Sequence, residues 1–294
     1  MWSSGVELGL CLLAGWRWQK LQSCVQGTTL VDAWRWGGVV LVAAALTAGV
    51  RLTTGRAFPA GDCLLAVCGL TPLMAVLGAR RPTCRVWTAF VVLPLLLVLS
   101  WPILTVVSAR GPWGKISLET PTVFGFGFVA VMACGNYVGT RLMFSAVAWG
   151  SAVMGLWLCH ADLAPAGWPT ASTMRLVLGT VGLWALWDVQ RAWQGRHPAA
   201  DRFNRLWFDV LDRFGVVWAR RLQERLNALG RQQGWSGRLE LDGWHWTTAP
   251  DPQEQARVEQ AFRWLLRRFV DPPWIDARLE TASPSAAVSF AIDS

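Results

Sequence analysis

The stretch VGLWALWDVQRAWQ, residues 181–194, marks the point at which the chain changes composition. Six long apolar runs precede Trp187, and the residues that follow Asp188 are rich in Arg, Asp, Glu and Trp. About 20 apolar residues are needed for a helix to cross the hydrocarbon core of a bilayer. The sequence therefore predicts a membrane-embedded half joined to a water-facing domain.

Composition supports the same division. Apolar residues make up 53% of the 294 residues and charged residues 16%, and the mean hydropathy is +0.32, which is too apolar for an ordinary soluble domain. We predict an all-α integral membrane protein: a bundle of about six transmembrane helices, then a small cytoplasmic domain that is α-helical with a minor β part. The predicted spans lie near 36–52, 61–79, 86–108, 121–140, 142–160 and 174–190.

The predicted domain limits follow from these spans. Residues 1–190 form the bundle, residues 191–281 form the cytoplasmic domain, and residues 282–294 form a disordered tail because they are rich in Ser, Ala and Pro. The segment Gly5–Trp16 is shorter and contains Glu7, which favours an interfacial or re-entrant helix over a seventh span. It also lacks the basic start and the cleavage site of a secretory signal.

Basic residues between the spans predict the orientation, because Lys and Arg accumulate on the cytoplasmic side. Before the second domain, one set of connections carries seven basic residues and the other carries four, and residues 191–294 add 15 Arg to the first set. Both termini are therefore expected to be cytoplasmic. Arg greatly outnumbers Lys, which suggests a GC-rich bacterial coding sequence and hence the bacterial inner membrane.

Ionisable residues are absent from the interiors of the predicted spans. Asp62, Asp162 and Asp188 lie at span ends, where they can reach the interface. Ion-coupled transporters and proton pumps usually keep ionisable groups at membrane depth, where each costs a few kcal/mol. The sequence therefore argues against these classes and predicts a chemically inert membrane half.

Mildly polar residues within the spans leave a solute path open as an alternative. Asn136 stands beside Tyr137, the only Tyr of the chain, and the two could line such a path or form an interhelical hydrogen bond. Pro72, Pro94 and Pro102 are expected to kink the second and third spans.

His160 and Asp162 form a small cluster at the outer end of the fifth span, where a general base or a metal could be held. A solvated interfacial histidine is the simpler interpretation. The seven Cys residues contain no C-x-x-C pair, so we predict no metal site and no cofactor.

The second domain has a clear helical pattern. Asp201 is predicted to cap a helix that runs to about Leu229, with an apolar stripe on one side and a basic face on the other. From the stripe Trp207, Phe214 and Trp218, and from the basic face Arg220, Arg221 and Arg225, are the residues predicted to bind a protein partner or anionic lipid. A hairpin near 238–246 and a second helix capped by Asp251 are expected to follow.

Nucleic acid is an improbable partner. Residues 191–294 hold 15 Arg against 13 Asp and Glu, so no strong phosphate-tracking field is expected. The domain also lacks a Walker loop, a G-x-G-x-x-G pattern and a nucleophile elbow.

Three function classes remain at this stage. The leading hypothesis is a non-catalytic membrane scaffold or accessory subunit, whose cytoplasmic domain docks a protein partner or membrane lipids. The alternative is a channel or facilitator for a neutral or apolar solute, which requires a continuous cavity in the bundle. An enzyme that uses His160 and Asp162 is the third.

Overall fold

The fold is described from a computed structural model, which covers residues 2–162, 164–194 and 201–279. It is mostly helical and contains a two-stranded antiparallel sheet. The disordered tail predicted at 282–294 lies outside the described residues. The helices of the first half are α1 (Trp2–Val25), α2 (Val31–Thr54), α3 (Pro59–Leu77), α4 (Cys84–Trp87), a π-helical turn (Thr88–Val92), α5 (Leu93–Leu99), α6 (Trp101–Arg110), α7 (Thr120–Gly135), α8 (Met143–Leu158) and α9 (Ala171–Gln194).

The prediction of six membrane spans holds only in part. Among the described helices, α2 and α3 are long and apolar enough to cross a membrane. The segment from α4 to α6 becomes a third candidate if its two halves, bent by 46° at Ser100, count as one span. Helices α7 and α8 are apolar but have only 16 residues each, which is fewer than the roughly 20 that a full crossing requires.

Helix α1 differs most from its predicted form. The interfacial or re-entrant helix expected at Gly5–Trp16 is instead one 24-residue helix that packs along α2 and α9. Glu7 contacts Arg51 near the end of α2, and Trp18 stacks on Trp34 near its start with ring centroids 4.2 Å apart. Two reciprocal indole-to-carbonyl bonds fix that stack. The length of this helix was underestimated because its charged and polar residues interrupt the apolar run.

Five of the helices form a closed ring. Contacts run from α1 to α2, from α2 to α3, from α3 to α8, from α8 to α9, and from α9 back to α1. Small residues allow close approach within the ring: a Cβ on Gly69 would lie 2.8 Å from Val153, and one on Gly182 would lie 2.8 Å from Trp149. Helices α4 to α7 pack outside the ring, against α3 and α8.

The outer surface of the bundle is apolar. Large hydrophobic side chains that are more than 60% exposed occur on several helices: Leu12, Leu46, Phe90, Phe124, Phe128 and Phe144. Soluble monomers rarely expose apolar surface on this scale. The surface suits a hydrocarbon environment.

The C-terminal domain comprises α10 (Arg202–Gln233), β1 (Gly237–Glu240), β2 (Gly243–Trp246), α11 (Pro252–Leu266) and α12 (Pro272–Leu279). The predicted caps are confirmed, since Asp201 accepts from Asn204 N–H at 3.0 Å and Asp251 accepts from Glu254 N–H at 2.6 Å. The hairpin also forms where the alternation indicates. The short helix α12 was not predicted; Pro272 and Pro273 stand in its first turn, where Pro is well tolerated.

Candidate functional site

The bundle has two recognisable ends. Glu7, Arg51 and Asp62 mark the distal end, and the loops around Gly27, Ala79 and Asn136 mark the end that contacts the C-terminal domain, here called the domain end. Because α1 begins at the distal end, the start of the chain and the C-terminal domain lie at opposite ends of the bundle.

A lumen of about 260 Å³ runs between the five helices of the ring. Its wall along α9 extends from Arg175 to Trp193, and its wall along α1 extends from Glu7 to Val25. Each of these walls covers 19 residues, and the 18 steps between the first and the last residue give about 27 Å at 1.5 Å per residue. The lumen is therefore long and narrow, and it follows the axis of the bundle.

Small side chains create this space and apolar ones line it. Ala14, Ala44 and Ala185 face the lumen at the middle of α1, α2 and α9. The wall contributed by α8 includes Trp149, whose indole N–H donates to the Gly69 carbonyl at 2.8 Å and is thereby fixed in place. An apolar cavity of this type stays dry and binds apolar molecules, as an engineered cavity of about 150 Å³ does with benzene.

A buried ionic cluster closes the distal end of the lumen. The Arg51 guanidinium donates to both carboxylate oxygens of Glu7, at 2.8 and 3.3 Å. Arg175 bridges the two acids: its Nε lies 3.3 Å from Glu7 Oε1 and its Nη1 lies 2.7 Å from Asp62 Oδ2. All four side chains are at most 8% exposed.

The sequence did not predict this cluster. Opposite charges from α1, α2, α3 and α9 meet inside the bundle at its distal end, and the expectation missed the burial of Asp62 by the neighbouring helices at that end. His160 also departs from the expected solvated position, because it is 10% exposed and its Nε2 lies 3.7 Å from Asp62 Oδ2. The available signal was that Arg51, Asp62, His160 and Arg175 all fall at the same end of the predicted bundle, where antiparallel helices bring their charges together.

The structure does not bring His160 and Asp162 together as a pair. Asp162 accepts a short hydrogen bond from the Ser117 hydroxyl on the surface, while His160 faces Asp62. A separate exposed group on the hairpin, Glu240, Asp242 and His245, places three potential ligand atoms within 4.8 Å of one another. The hydrogen bond from His245 lowers the pKa of Asp242, and exposed groups of this kind are common without an ion.

The apolar stripe of α10 is buried within the chain. Trp207 is 1% exposed, Phe214 is fully buried, and Trp218 is 6% exposed. The three belong to a core that also contains Val76 and Leu142 of the bundle. The stripe predicted to bind a partner or lipid is therefore occupied by the protein itself, whereas Arg220, Arg221 and Arg225 on the opposite face are exposed.

Asn136 attaches the C-terminal domain to the bundle. Its side-chain amide donates to the Phe214 carbonyl at 3.1 Å, its backbone carbonyl accepts from Val216 N–H at 2.7 Å, and its side-chain oxygen accepts from Val217 N–H at 3.1 Å. Gly215, with φ of 76° and ψ of 178°, makes the sharp turn in α10 that allows these bonds. Tyr137, its predicted companion in a solute path, is 4% exposed and lines the lumen at the domain end.

Further contacts hold the C-terminal domain to the bundle. Asp212 accepts from the Arg141 backbone N–H at 3.0 Å and from its Nε at 2.5 Å. Backbone bonds join Thr29 N–H to the Phe269 carbonyl and Arg81 N–H to the Arg268 carbonyl, each at 2.8 Å. The C-terminal domain is thus fixed to three loops at the domain end of the bundle.

Arg213 lies at the centre of the domain and is 1% exposed. Its Nη2 donates to the Trp193 carbonyl at 2.7 Å, and its guanidinium lies over the rings of Trp193 and Trp274. Burial, together with the nearby charge of Arg278, lowers the pKa of Arg213 to about 10, so the group is still charged at neutral pH. Its position connects the end of α9 to α10 and α12.

Comparisons with known proteins give no relative for this chain, since it matches no family model, no curated protein and no solved structure.

Proposed function

We propose that this protein is a membrane-embedded binding protein for an elongated apolar molecule, which occupies the lumen of the five-helix ring. The observation that carries this proposal is the apolar lumen itself, about 260 Å³ in volume and about 27 Å long. The proposal is a more specific form of the channel or facilitator hypothesis, because both require a continuous cavity in the bundle.

The shape and lining of the lumen favour a chain-like ligand. Pockets for compact drug-sized molecules usually measure about 300–1,000 Å³, whereas this volume is smaller and is spread along the bundle axis. Most of its wall is aliphatic or aromatic, and Glu7, Thr47 and Arg175 at the distal end supply its main polar groups. A single hydrocarbon chain fits such a space better than a compact polar solute does.

The membrane position is part of the proposal. We place the whole bundle in the bilayer, supported by its exposed Phe and Leu side chains. We place the C-terminal domain on the cytoplasmic side, supported by the 15 Arg of residues 191–294. The start of α1 then lies on the opposite face, which replaces the expectation that both termini are cytoplasmic. Assignment to a bacterial inner membrane remains a prediction from composition.

Filling the lumen is expected to abolish ligand binding. In Ala185→Phe, a bulky ring enters the centre of the lumen from α9. Photolabelling of the lumen-lining residues Ala14 and Gly182 by an alkane that carries a diazirine should fall at least about tenfold, since overlap with the ring excludes the chain. Labelling is measured by peptide mass spectrometry on protein in phosphatidylcholine nanodiscs.

Val177→Phe is the matched control, because Val177 lies on α9 but is 40% exposed on the outside of the bundle. Its labelling should equal that of the wild type. Labelling of Ala14 and Gly182 in the Ala185→Phe variant that equals the wild type, with an unchanged melting temperature, would show that the label does not occupy the lumen and would refute the proposal.

The scaffold hypothesis retains one supporting observation, the exposed basic face of α10 at Arg220, Arg221 and Arg225. Because the apolar stripe is buried in the chain, a partner at this face has to be recognised by charge. Replacing all three residues by Glu is expected to leave the melting temperature within about 2 °C, as for exposed substitutions, and to abolish salt-sensitive retention of cytoplasmic partners in pull-downs. Retention that does not change would remove this candidate.

A further inference from the structure

The two ends of the lumen differ in their polar groups. Glu7, Arg175 and Thr47 line the distal end, whereas the domain end is lined by Tyr137 and Trp193, which offer a phenol hydroxyl and an indole N–H. Ser145 also lines it further along, but the Ser145 hydroxyl is already engaged in a short hydrogen bond to Asp188. A ligand that fills the lumen therefore meets an ionic group and a hydroxyl at the distal end, hydrocarbon along the middle, and aromatic side chains at the domain end.

Two side chains at this end retain unused hydrogen-bonding capacity. Arg175 donates from Nε to Glu7 and from Nη1 to Asp62. Its Nη2 has no hydrogen-bond partner among the described residues. The Thr47 hydroxyl likewise has no partner in the described part of the chain. Both side chains are more than nine-tenths buried, at 8% and 3% exposed. Buried polar groups are normally satisfied, so this pair points to a missing partner.

The charge of the cluster constrains that partner. Two cations, Arg51 and Arg175, face two anions, Glu7 and Asp62. The formal charges of these four side chains therefore sum to zero. A ligand with a charged head would add an uncompensated charge in a buried site, which is strongly unfavourable. A hydroxyl head adds no charge, accepts from Arg175 Nη2–H and exchanges a hydrogen bond with Thr47.

We propose that the lumen binds a long-chain molecule with a neutral hydroxyl head, oriented with the hydroxyl at Arg175 and Thr47 and the chain directed toward Trp193. This inference rests on the proposed function and adds the chemical class and the orientation of the ligand. Glu7 and Asp62 act as positioning residues, because they hold the Arg175 guanidinium in a fixed orientation.

The test compares three probes of equal chain length, dodecanol, dodecanoate and dodecane, as competitors of the diazirine alkane in phosphatidylcholine nanodiscs. The pH is kept alkaline, so that dodecanoate is ionised and Arg175 stays charged. Dodecanol is expected to displace the label at a concentration about fivefold lower than dodecane does, the effect of one net hydrogen bond. Dodecanoate is expected to be the weakest competitor of the three.

A pair of threonine variants tests the head site without disturbing the ion pairs. Thr47→Val removes the free hydroxyl at nearly constant shape and should reduce the preference for dodecanol over dodecane to less than about twofold. Thr71→Val is the control, since Thr71 is also buried but donates to the Cys68 carbonyl on α3 and does not line the lumen. The preference should be unchanged in that variant.

The outcomes separate this inference from the proposed function. Stronger competition by dodecanoate, or equal competition by dodecanol and dodecane in the wild type, overturns the neutral head site and leaves the lumen as a binding site. A preference for dodecanol that persists in Thr47→Val also overturns the assignment. Failure of all three probes to displace the label contradicts the proposed function itself.

Discussion

Replacing Gly215 by alanine is expected to detach the C-terminal domain from the bundle. With φ of 76° and ψ of 178°, Gly215 has a backbone conformation that is essentially restricted to glycine, and a Cβ there would lie 2.3 Å from Asn136. The three hydrogen bonds that join Asn136 to α10 are lost if the backbone moves to relieve this overlap. Backbone strain and lost bonds together should cost about 3 kcal/mol or more.

Limited trypsin digestion is the direct measurement. Residues 202–279 contain 13 Arg, so release of the C-terminal domain should accelerate cleavage at least about tenfold while the bundle stays intact, because each 1.4 kcal/mol of opening changes the exposed population tenfold. Gly234→Ala is the matched control: Gly234 also has a positive φ, of 66°, but a Cβ there meets nothing within 4 Å. Cleavage at the same rate in both variants would contradict the role given to Gly215.

Replacing Arg175 by leucine is expected to be the most damaging change in the bundle. Asp62 loses its guanidinium partner and Glu7 keeps only Arg51, so one buried carboxylate is left without a cation. Breaking a buried ion pair by removal of one partner costs about 3–5 kcal/mol. The melting temperature of the protein in nanodiscs, read from tryptophan fluorescence, should fall by about 10 °C.

A double substitution distinguishes lost charge balance from lost packing. Arg175→Leu combined with Asp62→Leu removes one cation and one anion and leaves the Arg51–Glu7 pair intact. Because apolar replacements of buried pairs are often nearly neutral, the double variant should recover most of the lost stability. A double variant less stable than either single variant would show that the cluster is not held by charge compensation.

Most helices could be placed from the sequence because nearby residues mark where each helix begins and ends. Apolar runs, Pro and Gly located α2 to α9 within a few residues, and Asp201 and Asp251 located the starts of α10 and α11. These signals act over one or two helical turns, so they require no knowledge of the tertiary fold. Helix α1 was predicted at only half its length, because the partners of Glu7 and Arg17, which are Arg51 on α2 and Gln190 on α9, are remote in sequence.

The candidate site could not be derived in the same way. The sequence placed Asp62 at a membrane interface because a lone carboxylate at depth is costly. In the folded chain its partner is Arg175, 113 residues away, and the ring of helices that brings them together was not predictable from periodicity. The lumen likewise depends on which faces of five helices meet, and small residues such as Ala185 acquire a role only there.

The apolar stripe of α10 could be recognised from the sequence, but the surface that covers it could not. Its helical spacing correctly predicted an amphipathic helix, but spacing alone does not identify the surface that covers the apolar side. The covering surface is the domain end of the bundle together with α11 and α12. Trp207, Phe214 and Trp218 consequently stabilise the attachment of the domain instead of remaining available to a partner.

Native mass spectrometry of the protein released from its own membranes tests the central claim most directly. We expect one bound long-chain molecule per protein chain in the wild type and in Val177→Phe, and none in Ala185→Phe, whose ring fills the lumen. The same adduct in all three proteins, or no adduct in a wild type that remains folded, would contradict a ligand-binding lumen in the five-helix ring.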